Sequence, residues 1–158
     1  MLSRRAFVVR VTGLVSVGLA GRRLIAQSSL FQPALTPITI YKSSSCDCCT
    51  KWIEHVRANG FAPTVHDEEN MDAIKNELGV PEELRSCHTA LVEKYVIEGH
   101  VPAADIRRML ADEAKVSGLA VPGMPGGTPG MAPPGARVTG FEVVAFQNDG
   151  TTRTFARY

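Results

Sequence analysis

Between Thr36 and Ala111 the chain alternates short β-branched runs with segments whose apolar residues recur at helical spacing. Few folds accept that order. Thr36–Tyr41 (T-P-I-T-I-Y) reads as a first strand. Ser43-Ser44-Ser45 supplies cap-type residues, and Cys48–Asn59 follows as a helix with Trp52, Ile53 and Val56 on one face and Gly60 at its stop. Ala62–His66 is a second strand. Asn70 caps a helix over Met71–Leu78 with Ala73, Ile74 and Leu78 inward, ended by Gly79 and Pro81. Thr89–Val92 and Tyr95–Glu98 form a hairpin around Glu93-Lys94. Pro102 opens a third helix that runs through Ala111, with Ile106, Met109 and Leu110 apolar. A right-handed crossover turns this β-α-β-α-β-β-α order into a parallel strand pair plus an antiparallel pair. The expected fold is therefore α/β, a thioredoxin-like sandwich with a mixed central sheet flanked by helices. Gly118–Gly135 is rich in Pro and Gly and has no periodicity. Phe141–Phe146 and Thr151–Phe155 read as a C-terminal hairpin turning at Asn148-Asp149-Gly150.

A length of 158 residues predicts one domain. Its charge is unevenly placed. Residues 1–26 hold Arg4, Arg5, Arg10, Arg22 and Arg23 and no acid, leaving 12 basic against 16 acidic side chains in the rest, a net of −4. A mildly acidic body argues against binding nucleic acid through its phosphates. The basic start followed by the short apolar run Val11–Gly21 has the layout of an export signal, and Ser3-Arg4-Arg5-Ala6-Phe7-Val8 resembles a twin-arginine motif. That run is well short of the roughly 20 residues a spanning helix needs. The expectation is a signal over residues 1–26 and a mature domain over 27–158. The domain would be periplasmic, with no stable membrane insertion after cleavage. The competing reading of this segment is an uncleaved anchor or a basic tail.

Cysteine placement carries the chemistry. Cys46, Cys48 and Cys49 fall in one four-residue run, and Cys87 stands apart. The run sits where the first strand ends and the first helix begins. Exposed N–H groups and the dipole at a helix N-terminus stabilise thiolates. Cys46 and Cys49 satisfy the C-x-x-C redox spacing, with Cys48 as an additional sulfur. Crowded thiolates suit soft metal ions such as Cu(I) or zinc. In a thioredoxin-like arrangement Ser86-Cys87-His88-Thr89 packs against the first helix N-terminus. Cys87 and His88 would then join the cluster. Two structural disulfides fit three cysteines within four residues poorly. Met124 and Met131, in the Pro/Gly stretch, are soft thioethers that can ligate Cu(I) or cover the site; otherwise they fill gaps in the core. Of the other histidines, His66 reads as a solvated strand end, His100 as a turn residue and His55 as exposed.

Four segments, Tyr41–Trp52 with its Cys46-Asp47-Cys48-Cys49 run, Ser86–Thr89, Val96–Pro102 and Gly118–Pro125, together resemble a known family. They are similar to the thioredoxin-like CxCC metal-binding proteins grouped as domain of unknown function 411. That family includes CopG-type periplasmic copper-resistance proteins. The resemblance implies export and copper handling. It also implies a cysteine-bridged multinuclear copper site at Cys46, Cys48, Cys49 and Cys87, and interconversion of copper oxidation states. The family's loop continues G-S-P-G-M-E, where this chain has Gly127-Thr128-Pro129-Gly130-Met131-Ala132 and so lacks the glutamate.

The expected function is copper resistance or homeostasis. Cu(I) is held by the four cysteines, His88 completes or tunes the site, and Met124 and Met131 cover it. Copper chaperones and efflux pumps are the expected partners. A metal-free thiol–disulfide oxidoreductase using Cys46 and Cys49 is the alternative from another class, and a structural zinc module is a third.

Overall fold

The computed structural model describes residues 34–133 and 135–158; the expected export segment lies outside the described residues. Seven strands form one mixed sheet in the order β2-β1-β3-β4-β5-β6-β7. They are β1 (Thr36–Lys42), β2 (Phe61–Asp67), β3 (His88–Val92), β4 (Tyr95–Glu98), β5 (Gly118–Ala120), β6 (Glu142–Phe146) and β7 (Thr152–Arg157). Three α-helices join them: α1 (Asp47–Ala58), α2 (Met71–Glu77) and α3 (Ala103–Ala111). A short 3-10 turn spans Glu82–Leu84. β1 runs parallel to β2 and antiparallel to β3, and β3 pairs antiparallel with β4. β5 lies parallel to β4, and β6 and β7 extend the sheet as an antiparallel hairpin. Among the described residues no helix is long and apolar enough to cross a membrane.

The period-2 geometry of strands divides the apolar residues between two cores. Ile38, Ile40, Ala90, Val92, Tyr95, Ile97, Leu119, Val143 and Ala145 pack with Trp52, Ile53 and Val56 of α1 and Ile106 and Met109 of α3. Their sequence neighbours Val96, Ala120 and Phe146 belong to a smaller cluster with Val80 and Leu84, against which Leu78 and Leu91 pack. Both faces of β4 are therefore buried, and all four of its residues are shielded.

β5 was not expected. A three-residue strand is too short to display alternation, and it opens the stretch read as a loop. Gly118 is what admits it. A Cβ there would lie 2.0 Å from the Val96 carbonyl oxygen and 2.6 Å from the Phe146 ring. α2 also differs from expectation in its inward face. Asn70 does cap it, accepting the Ala73 N–H at 3.1 Å. Ala73 itself is exposed, and Lys75 is the buried residue of the helix.

Candidate metal centre

β1 delivers the chain to a turn in which the Cys46 N–H bonds the Ser43 carbonyl at 3.1 Å. Cys46 then stands at the N-cap position of α1 in extended conformation. The first turn of the helix carries Cys48 and Cys49. Cys46 and Cys49 form a disulfide with their Cα atoms 5.4 Å apart, the C-x-x-C pairing. Cys48 and Cys87 are free. Cys48 Sγ lies 3.5 Å from Cys46 Sγ. The Sγ atoms of Cys46, Cys48, Cys49 and Cys87 all lie within 4.8 Å of one another. Two stretches about forty residues apart thus converge on one cluster of sulfur.

Cys87 also belongs to a second group. Its Sγ is 3.3 Å from His88 Nδ1 and 3.2 Å from His100 Nε2. These three residues likewise offer ligand atoms within 4.8 Å of one another. His100 is buried, not a turn residue open to solvent. Its Nδ1 faces the Pro129 carbonyl at 2.7 Å. A carbonyl only accepts, so Nδ1 carries the proton and the Nε2 lone pair is directed at the sulfur. His88 is fully buried, with its ring 4.3 Å from Trp52 and 5.1 Å from His100. His88 Nε2 has no hydrogen-bond partner. Nδ1, not Nε2, is the ring nitrogen that faces Cys87, so Nε2 is a buried polar atom left without a partner at a cost in free energy.

His100 could have been found from the hairpin alone. A two-residue loop at Glu93-Lys94 sets Thr89 opposite Glu98. The Gly99 N–H bonds the His88 carbonyl at 2.9 Å, so continuing the register by one residue sets Cys87 beside His100. His55 also departs from expectation. It is half-buried, and its Nε2 accepts the Ala103 N–H at 3.1 Å, satisfying a free donor at the start of α3. His66 stacks on Tyr41 with ring centroids 5.4 Å apart.

The Pro/Gly stretch after β5 closes over this region. Its own turns order it: the Met131 and Ala132 N–H groups both bond the Thr128 carbonyl, at 3.0 and 2.9 Å. The Ser86 hydroxyl donates to the Gly123 carbonyl, tying the Cys87 segment to the loop. Gly130 has φ +88, and a Cβ there would lie 2.8 Å from the Trp52 backbone nitrogen and 3.2 Å from both Cys48 O and His100 Nδ1. Only glycine lets this backbone rest on the first turns of α1. Met131 is half-buried and shares a cavity with Lys51 and Glu54, whereas Met124 is 57% exposed.

Burial sets the electrostatics. Burial holds the His88 imidazole well below the usual histidine range, and the neighbouring His100 and Lys75 groups push in the same direction. Burial lowers His100 too, against the Pro129 hydrogen bond. Both rings are thus neutral at pH 7, the form that binds metal. Burial, with the neighbouring Cys48 sulfur, pushes the Cys87 thiol up to about 12. The dipole argument for reactive thiolates at the start of α1 does not extend to Cys87, which enters from β3. Alkylation of Cys87 in the metal-free protein is therefore expected to rise about tenfold per pH unit without levelling near pH 9, where an ordinary thiol is already ionised. Mass spectrometry of iodoacetamide-treated samples from pH 7 to 11 checks this; a plateau near pH 9 contradicts it.

The chain is similar to one known family and to two solved structures. The family described as "Protein of unknown function, DUF411" matches residues 84–131, the span from the Cys87 segment to Met131. Two solved structures of copper resistance protein CopG, Form 1 and Form 2, each superpose with a TM-score of 0.72 at 44% sequence identity. Each alignment covers 78% of this chain and 98% of the solved one. No curated protein matches. With the structural relatives aligned over almost their full length and the family match lying across the Cys87 segment, the chain belongs to the DUF411 copper-resistance family.

Proposed function

We propose that this protein is an exported, periplasmic copper-binding protein that limits copper toxicity. Cu(I) is its cargo, held by Cys46, Cys48, Cys49 and Cys87 with His88 and His100 as nitrogen donors. The observation that carries the reading is the meeting of four sulfurs within 4.8 Å, with two neutral buried imidazoles sharing Cys87. Soft thiolates and imidazole together suit copper, and closely spaced thiolates can bridge several ions. Met124 and Met131 cover the site in this reading. The loop's contact with α1 through Gly130 supports that placement for its neighbour Met131. Copper chaperones or efflux pumps receive the ion. The fold is read as thioredoxin-like, supported by the β2-β1-β3-β4 order and by cysteines at the β1–α1 junction.

The Cys46–Cys49 disulfide bears directly on mechanism. Closed, it leaves Cys48, Cys87 and the two imidazoles as donors. Open, it adds the Cys46 and Cys49 sulfurs, for four thiolate donors in all. Two Cu(I) ions reducing the disulfide would yield two Cu(II) ions and two thiolates, which makes interconversion of copper oxidation states a natural extension of binding. The same disulfide favours one second reading, a metal-free thiol–disulfide oxidoreductase.

Copper analysis of protein isolated from copper-fed cells, alongside insulin reduction by the metal-free protein, separates the two. The copper reading expects at least one tightly held copper per chain and its loss in Cys48→Ser. The oxidoreductase reading expects metal-independent insulin reduction that Cys48→Ser leaves intact. A chain isolated without copper, with insulin-reducing activity, would overturn the first.

A further inference from the structure

Directly behind the Cys87–His88 pair lies a buried charged network that the copper site does not itself use. Lys75 of α2 reaches Glu98 Oε1 at 2.5 Å and Thr89 Oγ1 at 3.0 Å. The Ser86 N–H donates to Glu98 Oε1 at 2.6 Å, and the Thr89 hydroxyl donates to Glu98 Oε2 at 2.7 Å. Glu98 and Thr89 are 0% exposed and Lys75 is 3% exposed.

We infer that Glu98, held by Lys75, is the positioning residue of the copper site, fixing Cys87 and His88 by gripping the residues on either side of them. The inference rests on the copper reading above. Its basis is the division of labour between the two carboxylate oxygens. One takes the backbone N–H of Ser86, the residue before Cys87. The other takes the side chain of Thr89, the residue after His88. The backbone adds a third hold, because the Gly99 N–H bonds the His88 carbonyl at 2.9 Å. With both flanks and the carbonyl fixed, the direction of Cys87 Sγ and the plane of the His88 ring have little freedom.

Stability alone does not explain such a network. Desolvating two charges offsets much of their attraction, and apolar residues of similar volume often serve a core equally well. What an apolar pair cannot do is accept the Ser86 N–H and the Thr89 hydroxyl at the same time. Partners that orient metal ligands from behind are where losses of about 10–100-fold in metal affinity arise. α2, a seven-residue helix whose one buried residue is Lys75, finds its place in this account as the element that delivers the ammonium.

The test uses the double variant Lys75→Met/Glu98→Leu, which removes both charges together, leaves no unpaired buried ion and takes away both acceptors of the Ser86 and Thr89 donors. Thr89→Val is the second variant, which keeps the ion pair and removes one hold. Three quantities are measured on the full chain: the thermal midpoint, Cu(I) affinity by competition with bicinchoninate, and the His88 ring resonances of the metal-free protein. The expected result for the double variant is a 10–100-fold weaker Cu(I) affinity and shifted His88 resonances, with a thermal midpoint lowered by only a few degrees and the fold retained. Thr89→Val should move both site readouts in the same direction by a smaller factor. Cu(I) affinity within twofold of wild type and unmoved His88 signals in both variants would overturn the positioning role. A wild-type chain that takes up no Cu(I) fails the copper reading instead, and the His88 resonances then decide the positioning role by themselves.

Discussion

Replacing Cys87 with serine is expected to weaken Cu(I) binding by at least about 100-fold, while the metal-free fold stays within about 1 kcal/mol of wild type. The two effects separate because of where this residue stands. Cys87 is the one residue common to the sulfur cluster and to the imidazole group. Without its sulfur, His88 and His100 no longer share a donor with the cysteines of α1. A hydroxyl is a hard, protonated donor that does not replace a thiolate for Cu(I). The fold loses little, because the Cys87 side chain is only half-buried and belongs to neither apolar cluster. Competition titration with a Cu(I) chelator and urea unfolding of the same sample measure both. Equal Cu(I) affinity in wild type and Cys87→Ser would show that the two sides of the pocket act independently.

Trp52→Ala should have the largest effect on stability, about 3–5 kcal/mol, lowering the thermal midpoint by roughly 10 °C or more. Trp52 is fully buried at the centre of the larger core. Its indole N–H donates to the Val101 carbonyl at 2.9 Å. Removing it opens a large cavity and leaves that carbonyl without its donor. The consequence reaches the site, because the His88 ring packs on Trp52 at 4.3 Å and Val101 follows His100 directly. Trp52→Phe should restore most of the packing but not the hydrogen bond, and recover the greater part of the loss. A midpoint within 3 °C of wild type for Trp52→Ala would contradict this account of the core.

Much of this architecture was legible in the chain, and the exceptions have physical reasons. β1, α1 and the β3–β4 hairpin carry strong apolar periodicity, β2 follows from its β-branched residues between turn signals, and no end of these elements differs from expectation by more than one residue. The approach of Cys87 to the Cys46–Cys49 run followed from the expected order of elements. β5 escaped because three residues show no alternation and Gly118 reads as a loop residue. Lys75 escaped because a lysine on a short helix reads as solvated, while its partners Thr89 and Glu98 lie on strands further along the chain. His100 escaped because placing it means carrying the β3–β4 register two residues past its last strand pair, Thr89–Glu98, to Cys87. Its role comes from cross-strand register and from the Pro129 carbonyl, which belongs to a loop without periodicity. Site residues held by distant partners leave weak local signals, whereas the cysteine run announced itself by spacing.

X-ray absorption at the copper edge, on protein loaded with Cu(I) under reducing conditions, tests the convergence of sulfur and imidazole most directly. The account predicts a first shell dominated by sulfur with a nitrogen contribution and a short copper–copper vector from bridging thiolates, with both the sulfur count and the vector reduced in Cys87→Ser. A shell of nitrogen and oxygen only, or a sulfur shell unchanged in Cys87→Ser, would contradict it.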